Sequence, residues 1–337
     1  MFSFWSLPFL AITTIYQAIT CYQENQHRPP GQMINVGDHR LHLLHLTSSD
    51  PVIAVKPTVI IDHSLGGVEG YLLIHQIEPL AEVCLCDRAG YGWSEVSRKA
   101  ANSEQAVRSL DIALTNANVQ PPYILVGNSL GSYHVRLYAH RFPEKVVGMV
   151  LTDGLHERAL LKMPLPLRLL QLLFWSGFIL SIFGAAVGLI RVAAKMGLFG
   201  LIKPPLRQIP AVTLRPVLRS FCRPKHWLTM AREIAQLDTS GQQLREANEF
   251  GHLPIVNIKA QHFFKRTWLS RWLPLASIEQ LRTEMQADLM GLSTGCTQLL
   301  ASRSSHFVWI DQPDVIVHAV EHLLCSGTQP LSRPTSR

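Results

Sequence analysis

Charged side chains are scarce in this chain: 16% of its 337 residues are Asp, Glu, Lys or Arg, against 47% hydrophobic ones. About a quarter charged is ordinary for a soluble domain, so the chain is able to bury a large core, leans towards contact with a membrane, and is not disordered as a whole. Cysteine is equally sparse, with six residues at Cys21, Cys84, Cys86, Cys222, Cys296 and Cys325. No C-x-x-C pair and no Cys/His cluster of metal-ligand spacing occurs, so neither a zinc site nor a disulfide framework is expected. Cys84 and Cys86 lie two apart on a strand-like run, face the same way and cannot bridge each other. All six read as small apolar residues or free thiols. The stretch DRAGYGWS (Asp87 to Ser94) holds neither G-x-G-x-x-G nor a Walker lysine, so it is no phosphate loop. Its glycines serve a tight turn, with Asp87 tying down backbone N–H groups and Ser94 stopping the chain. No cofactor and no metal is implied.

What charge there is sits unevenly. The net charge is +7, but His156 to Trp272 holds 17 Lys/Arg against 5 Asp/Glu, leaving 14 against 19 elsewhere. One segment is thus near +12 and the remainder near −5. Nucleic acid is not the expected partner, because no RNP, zinc-finger or helix-turn-helix signature accompanies the basic excess. An anionic lipid surface fits better, since this segment is also the most apolar after the amino terminus.

Residues 1–23 carry no charged side chain and are rich in Phe, Leu, Ile and Trp, enough for one membrane-anchoring helix. A cleaved signal peptide would want a basic leading region, which is missing. Arg28 and Arg40 follow the segment and none precedes it, favouring a cytoplasmic position for the rest. Residues 24–31 read as a stiff linker. Then comes an alternation of apolar runs and helical patterns over 32–153: two short strands in MINVGDHRLHLLHL, strands at Thr58 to His63 and Val83 to Arg88, helices over 71–81 and from Ser103, and a strand running to Asp153. That is the pattern of a mostly parallel sheet wrapped on both faces, an α/β fold. The alternation stops over 154–253, where a Leu-, Phe- and Trp-rich helical cap is expected. It resumes over 254–326 with strands at Pro254 to Ala260 and Cys296 to Arg303 and a closing helix from Pro313. A disordered tail is expected over 327–337. Within the cap, 169–190 has 22 uncharged residues. One crossing there would put the two halves of the sheet on opposite sides of a bilayer, so a buried or membrane-dipping helix is expected instead.

The chemistry centres on YILVGNSLG (Tyr123 to Gly131), an apolar strand that meets Gly127, Asn128, Ser129, Leu130 and Gly131 and passes at once into a helix. G-x-S-x-G in that context is a nucleophile elbow: the serine sits on a strained turn, and small residues two positions either side let strand and helix cross. Ser129 is the candidate nucleophile. A serine hydroxyl needs a histidine base held by a carboxylate. His306 lies just past the last strand and before the last helix, where a loop can swing an imidazole over the elbow. For the acid, the helix after Ser129 descends about 16 residues at 1.5 Å, roughly 24 Å, and the next strand climbs about 7 residues at 3.3 Å, roughly 23 Å. Asp153 therefore returns to the edge that bears Ser129, with the helical Asp288 as a rival. An oxyanion would take the backbone N–H of Leu130 and one from the loop HSLGG, with Leu65 the best candidate; His63, Ser64 and Asn128 are candidates for the substrate pocket.

Together, GNSLG, HSLGG, DRAGYGWS and SSHFVWIDQPDVI resemble the elbow, oxyanion loop, post-strand turn and histidine loop of the α/β-hydrolase superfamily, in its esterase and lipase-like branch. The resemblance covers roughly Gln32 to Leu324. It implies an α/β-hydrolase fold with a helical cap, and carries Ser129, Asp153 and His306 over as the triad. Ser64 departs from the glycine usual in the oxyanion loop, and Ser132 from a second Gly or Ala. The expected activity is hydrolysis of a small lipophilic carboxylic ester through an acyl-enzyme. An acyltransferase on the same triad, or a non-catalytic membrane-anchored interaction protein, are the alternatives.

Overall fold

A computed structural model describes residues 6–54, 56–263 and 274–325. The expected tail over 327–337 and the first five residues of the expected anchor lie outside the described residues. Eight strands form one sheet: β1 (Gln32–Asn35), β2 (Arg40–Leu46), β3 (Thr58–Asp62), β4 (Val83–Cys86), β5 (Tyr123–Asn128), β6 (Val146–Thr152), β7 (Ile255–Ala260) and β8 (Cys296–Ala301). Their order is β1-β2-β4-β3-β5-β6-β7-β8, antiparallel through β1, β2 and β4 and parallel from there on. The runs of Val, Ile and Leu in β3, β5 and β6 are buried at every position, as strands covered on both faces must be. One face packs against the Ser103–Asn116 and Gly131–Arg141 helices through Leu114, Tyr133 and Tyr138. The other packs against the Pro313–Cys325 helix and the short Ile74–Ile77 helix, through Val320, Leu323 and Ile77.

Parallel strands share a direction, so β3, β5, β6, β7 and β8 end at one edge. The register pairs Asp62 with Gly127, Asn128 with Thr152, and Ala260 with Ala301. The residue following each of these strands opens onto the same rim, where ligands of open α/β sheets bind.

The helix expected over 71–81 is broken into a 3-10 turn at Glu69–Leu72 and a single α turn at Ile74–Ile77. Pro79, with no N–H and a restricted predecessor, stops it early. Between β6 and β7 the chain makes a series of helices, from Glu157–Leu161 to Leu237–Gln243. Leu165–Ala186 is the described helix long and apolar enough to cross a membrane, and only 6% of its apolar window is buried. The buried alternative for 169–190 is therefore corrected. The helix rests on Pro224–Ala235 along one side, with Trp175 Nε1 donating to Ala231 O at 3.2 Å, and leaves Leu169, Leu172, Leu173, Leu180 and Phe183 exposed. A helix apolar all round is compatible with a core or with lipid, and composition does not distinguish them.

The amino-terminal helix runs from Ser6 to Gln26. Leu7, Phe9, Ile12, Ile15 and Ile19 stand exposed along it, while Thr13 and Gln17 are buried. Its carboxyl end is tied to the cap by Glu24, which accepts from Arg191 and from Arg223, each at 2.6 Å. Gln17 adds a bond from Nε2 to Cys222 O at 2.7 Å.

Candidate active site

Ser129 follows β5 with φ +49°, a left-handed conformation that costs a non-glycine residue of order 1–3 kcal/mol. The elbow holds it there. A Cβ on Gly131 would come within 2.7 Å of His63 O and 2.8 Å of Asp62 O, and one on Gly127 within 2.6 Å of Gly131 O. Only glycine lets the helix pass under the loop that follows β3. Ser132, the departure from the small residue usual at that position, closes the turn: its Oγ donates to Ser129 O at 2.6 Å and accepts from Leu155 N at 2.9 Å.

Asp153 follows β6 in the same left-handed region, at φ +41°. The two residues are neighbours because Ser129 N donates to Thr152 O at 3.0 Å and Asp153 N to Ile258 O at 2.7 Å, extending the ladder across three strands. His306 stands on the loop between β8 and the Val308–Asp311 helix. Its ring stacks on Phe263, with centroids 4.4 Å apart and planes 27° apart, and the backbone N–H of His306 donates to Phe263 O. His306 Nε2 lies 3.0 Å from Ser129 Oγ, and Nδ1 lies 2.7 Å from Asp153 Oδ2. All three side chains are buried.

The carboxylate is held at both oxygens. Oδ1 accepts from Arg282 Nε at 3.0 Å and from Ala260 N at 3.2 Å. Burial pushes the Asp153 carboxyl up, but the hydrogen bond and charge of His306, the charge of Arg282 and the Ala260 N–H outweigh it, leaving it below the ordinary carboxylate value. Asp153 therefore stays an acceptor at neutral pH, which keeps the histidine's proton on Nδ1 and leaves Nε2 to accept from serine. Asp288, the rival acid, sits elsewhere, 3.6 Å from both His156 and Arg158.

Among the described residues, neither the Leu130 N–H nor the Leu65 N–H has a hydrogen-bond partner. The loop that carries Leu65 is fixed from behind. Arg88 donates through Nη1 to His63 O and Asp62 Oδ1 and through Nη2 to Ser64 O, all at 2.7 Å. Its other side meets Glu233 of the cap, at 2.8 Å from Nε. Glu69 accepts from Ser64 N and, at 3.0 Å, from Asn128 Nδ2. His63 is wholly buried, with Nδ1 accepting from Gly70 N at 3.0 Å. His63 and Asn128 share a small interior cavity with Glu69, Val126 and Trp309, whose lining does not include Ser129, Asp153 or His306.

In DRAGYGWS, Asp87 Oδ2 accepts from Trp93 N at 3.0 Å and Ser94 Oγ closes on Asp87 O at 2.5 Å, the turn its sequence implies. Arg88 in the same stretch, with Arg282 and Glu69, is the part that the sequence reading missed. The charged pair Asp87-Arg88 after the apolar strand β4 shows that a charge is present but not what Arg88 meets, and Arg282, among acids on a helix, resembles a solvated face.

The arrangement is that of a helix-wrapped, mostly parallel sheet with Ser, His and Asp in one hydrogen-bonded line at its carboxyl edge. The chain has the α/β-hydrolase fold, and the family profile for that fold matches residues 57–210. Among solved structures, Cfl2 from Burkholderia cenocepacia superposes with a TM-score of 0.63 at 14% identity, covering 87% of this chain and 95% of that one. The enol-lactonase from Burkholderia xenovorans LB400 gives 0.59 at 15% identity, over 87% and 99%. An uncharacterized vacuolar membrane protein of Saccharomyces cerevisiae is 30% identical over 115 residues, 32% of this chain and 18% of that protein. The matched stretches span only 18–26% of the first curated relatives' own length.

Proposed function

We propose that the protein hydrolyses lipophilic carboxylic esters at a membrane, through an acyl-enzyme on Ser129. The observation that carries this reading is the unbroken line from Ser129 Oγ to His306 Nε2 at 3.0 Å and from His306 Nδ1 to Asp153 Oδ2 at 2.7 Å. His306 takes the hydroxyl proton as Oγ bonds to the ester carbonyl carbon. The carbonyl oxygen, now anionic, accepts from the N–H groups of Leu130 and Leu65. Asp153 keeps the imidazole in register and stabilises its cation. Collapse of the tetrahedral adduct breaks the bond to the alkoxide, which leaves with the proton from Nε2. Water, deprotonated by His306, then attacks the acyl-serine and releases the acid, returning the proton to Ser129.

The lipophilic preference and the membrane rest on the exposed apolar faces of the Ser6–Gln26 and Leu165–Ala186 helices. The amino-terminal helix anchors the chain and the cap helix lies against the same lipid. The yeast relative, named as a vacuolar membrane protein, and the solved enol-lactonase, whose name denotes a cyclic ester, are compatible with this reading.

The test is turnover of p-nitrophenyl esters of increasing acyl length by the full chain in detergent, with intact-mass detection of the acyl-enzyme. Activity should rise with chain length, and Ser129→Ala and His306→Ala should each lower kcat by three orders of magnitude or more, as about 10³ to 10⁶ is usual for such residues. Turnover that survives Ser129→Ala would contradict the assignment.

A further inference from the structure

A cavity of about 680 Å³, the size of a small-molecule site, lies apart from the triad between the Ser6–Gln26, Leu189–Lys195 and Ala211–Phe221 helices, with Trp93 in its wall. Its charged lining is one-sided: Arg28, Arg191, Lys195, Arg215 and Arg219 face a single carboxylate, Glu24. That carboxylate is already engaged, by Arg191 from within the cavity and by Arg223 from beside it, each at 2.6 Å. Arg219 lays its guanidinium over the Trp93 ring at 4.7 Å and donates to Gly92 O at 3.0 Å, while its Nε is buried with no partner among the described residues. Burial, then the nearby Arg223, brings Arg219 down to about 10. Neighbouring Lys225 falls to about 8, through burial and then Arg219. The protein has thus gathered more positive charge than it neutralises, and an anion from outside would relieve both the repulsion and the desolvation.

The surroundings select the anion. The helices that wall the cavity expose Ile12, Ile15, Ile19, Met196 and Val212, each more than half exposed. Of these only Val212 lines the cavity itself and the others stand on the flanking surface, from which a free phosphate would gain nothing. A phospholipid would place its charged group among the cations and leave its acyl chains in the bilayer that covers the apolar residues.

We propose that this cavity receives the phosphate-bearing headgroup of an anionic phospholipid and thereby sets the cap against the membrane. The site is distinct from the triad, and the proposal stands whether or not Ser129 is a nucleophile.

The experiment is co-flotation of the full-length protein with phosphatidylcholine vesicles, and with the same vesicles containing phosphatidylglycerol. Lys195→Gln combined with Arg215→Gln removes two exposed cavity cations without touching the core. Arg158→Gln combined with Lys162→Gln makes the same charge change at exposed positions outside the cavity. Wild type should prefer the anionic vesicles; the cavity variant should lose about tenfold or more of that binding and the control variant less than about twofold, since each basic side chain near an anionic surface contributes roughly a factor of five. Equal losses in the two variants would mean diffuse surface charge and overturn the proposal, as would a cavity variant that binds like wild type. Inorganic phosphate is the second arm: displacement of the protein from vesicles at low millimolar concentration and constant ionic strength would assign the cavity to the free anion instead. Fluorophosphonate labelling of each variant is read in parallel and should be unchanged by the cavity substitutions, which separates this proposal's failure from that of the catalytic one.

Discussion

Arg282 and Asp153 meet at the rim of the sheet, the guanidinium Nε donating to Oδ1 at 3.0 Å while Oδ2 of the same carboxylate accepts from His306 Nδ1 at 2.7 Å. Arg282 also donates to Ala260 O, so its fork fixes the carboxylate relative to the end of β7. Arg282→Gln should therefore lower kcat by on the order of a hundredfold, the cost of a small misplacement of a reacting group, with KM nearly unchanged. Arg282→Lys should recover part of it, and the acid limb of the pH profile should move upward as Asp153 loses the cation that holds its carboxyl low. Steady-state kinetics across pH check this; wild-type kcat in Arg282→Gln would contradict a positioning role.

Arg88 joins the loop after β3 to Glu233 of the cap, which lies 145 residues beyond Arg88 in the chain. It is buried between Asp62 and Glu233. Arg88→Gln removes the cation between two buried carboxylates, leaving Asp62 with His134 and Glu233 with Tyr91, and should cost about 3–5 kcal/mol in urea unfolding. Arg88→Gln with Glu233→Gln should cost less than the sum of the single changes, because the pair is coupled. Additive costs would mean that the network does not act as a unit.

Gly131 tests the elbow without touching its chemistry. Gly131→Ala places a methyl against the His63 and Asp62 carbonyls and should destabilise the fold by roughly 1–3 kcal/mol, the usual cost of overpacking. Thermal unfolding of wild type and variant measures it; an unchanged midpoint would mean that the crossing has room for a methyl group.

Buried histidines set the first acid sensitivity. Burial, then Lys225, holds His226 at about 3, and burial, then Arg136, holds His156 at about 4, against an ordinary value of 6.5. As pH falls below 6.5 the unfolded chain takes up protons that these folded sites refuse, so stability is complete above that value and is lost towards the folded values. Depressed carboxyls such as Asp153 add their loss only below the ordinary carboxylate value of 3.8. His226→Gln should flatten the fall between about pH 6.5 and about pH 5 by roughly 1.4 kcal/mol per pH unit in urea titrations. An unaltered slope would place the sensitivity elsewhere.

The parts legible in the sequence were those encoded locally. Runs such as TVIID and VVGMVLT name buried strands by themselves, and the glycines around Ser129 name the turn. The placement of Asp153 needed only the lengths of one helix and one strand. The two buried arginines were not legible, because sequence shows a charge but not the partner that lets it be buried: Arg88 pairs with Glu233 from a different part of the chain. The exposure of Leu165–Ala186 was hidden for a related reason, since an apolar helix has the same composition against protein as against lipid.

The central claim is that Ser129 is a nucleophile activated through His306. The most direct measurement is labelling of the full-length protein with a fluorophosphonate probe, with the modified residue located by peptide mass spectrometry. The adduct should lie on Ser129, form far more slowly in His306→Ala, and be missing in Ser129→Ala. An adduct on another residue, or labelling that persists in Ser129→Ala, would contradict the account.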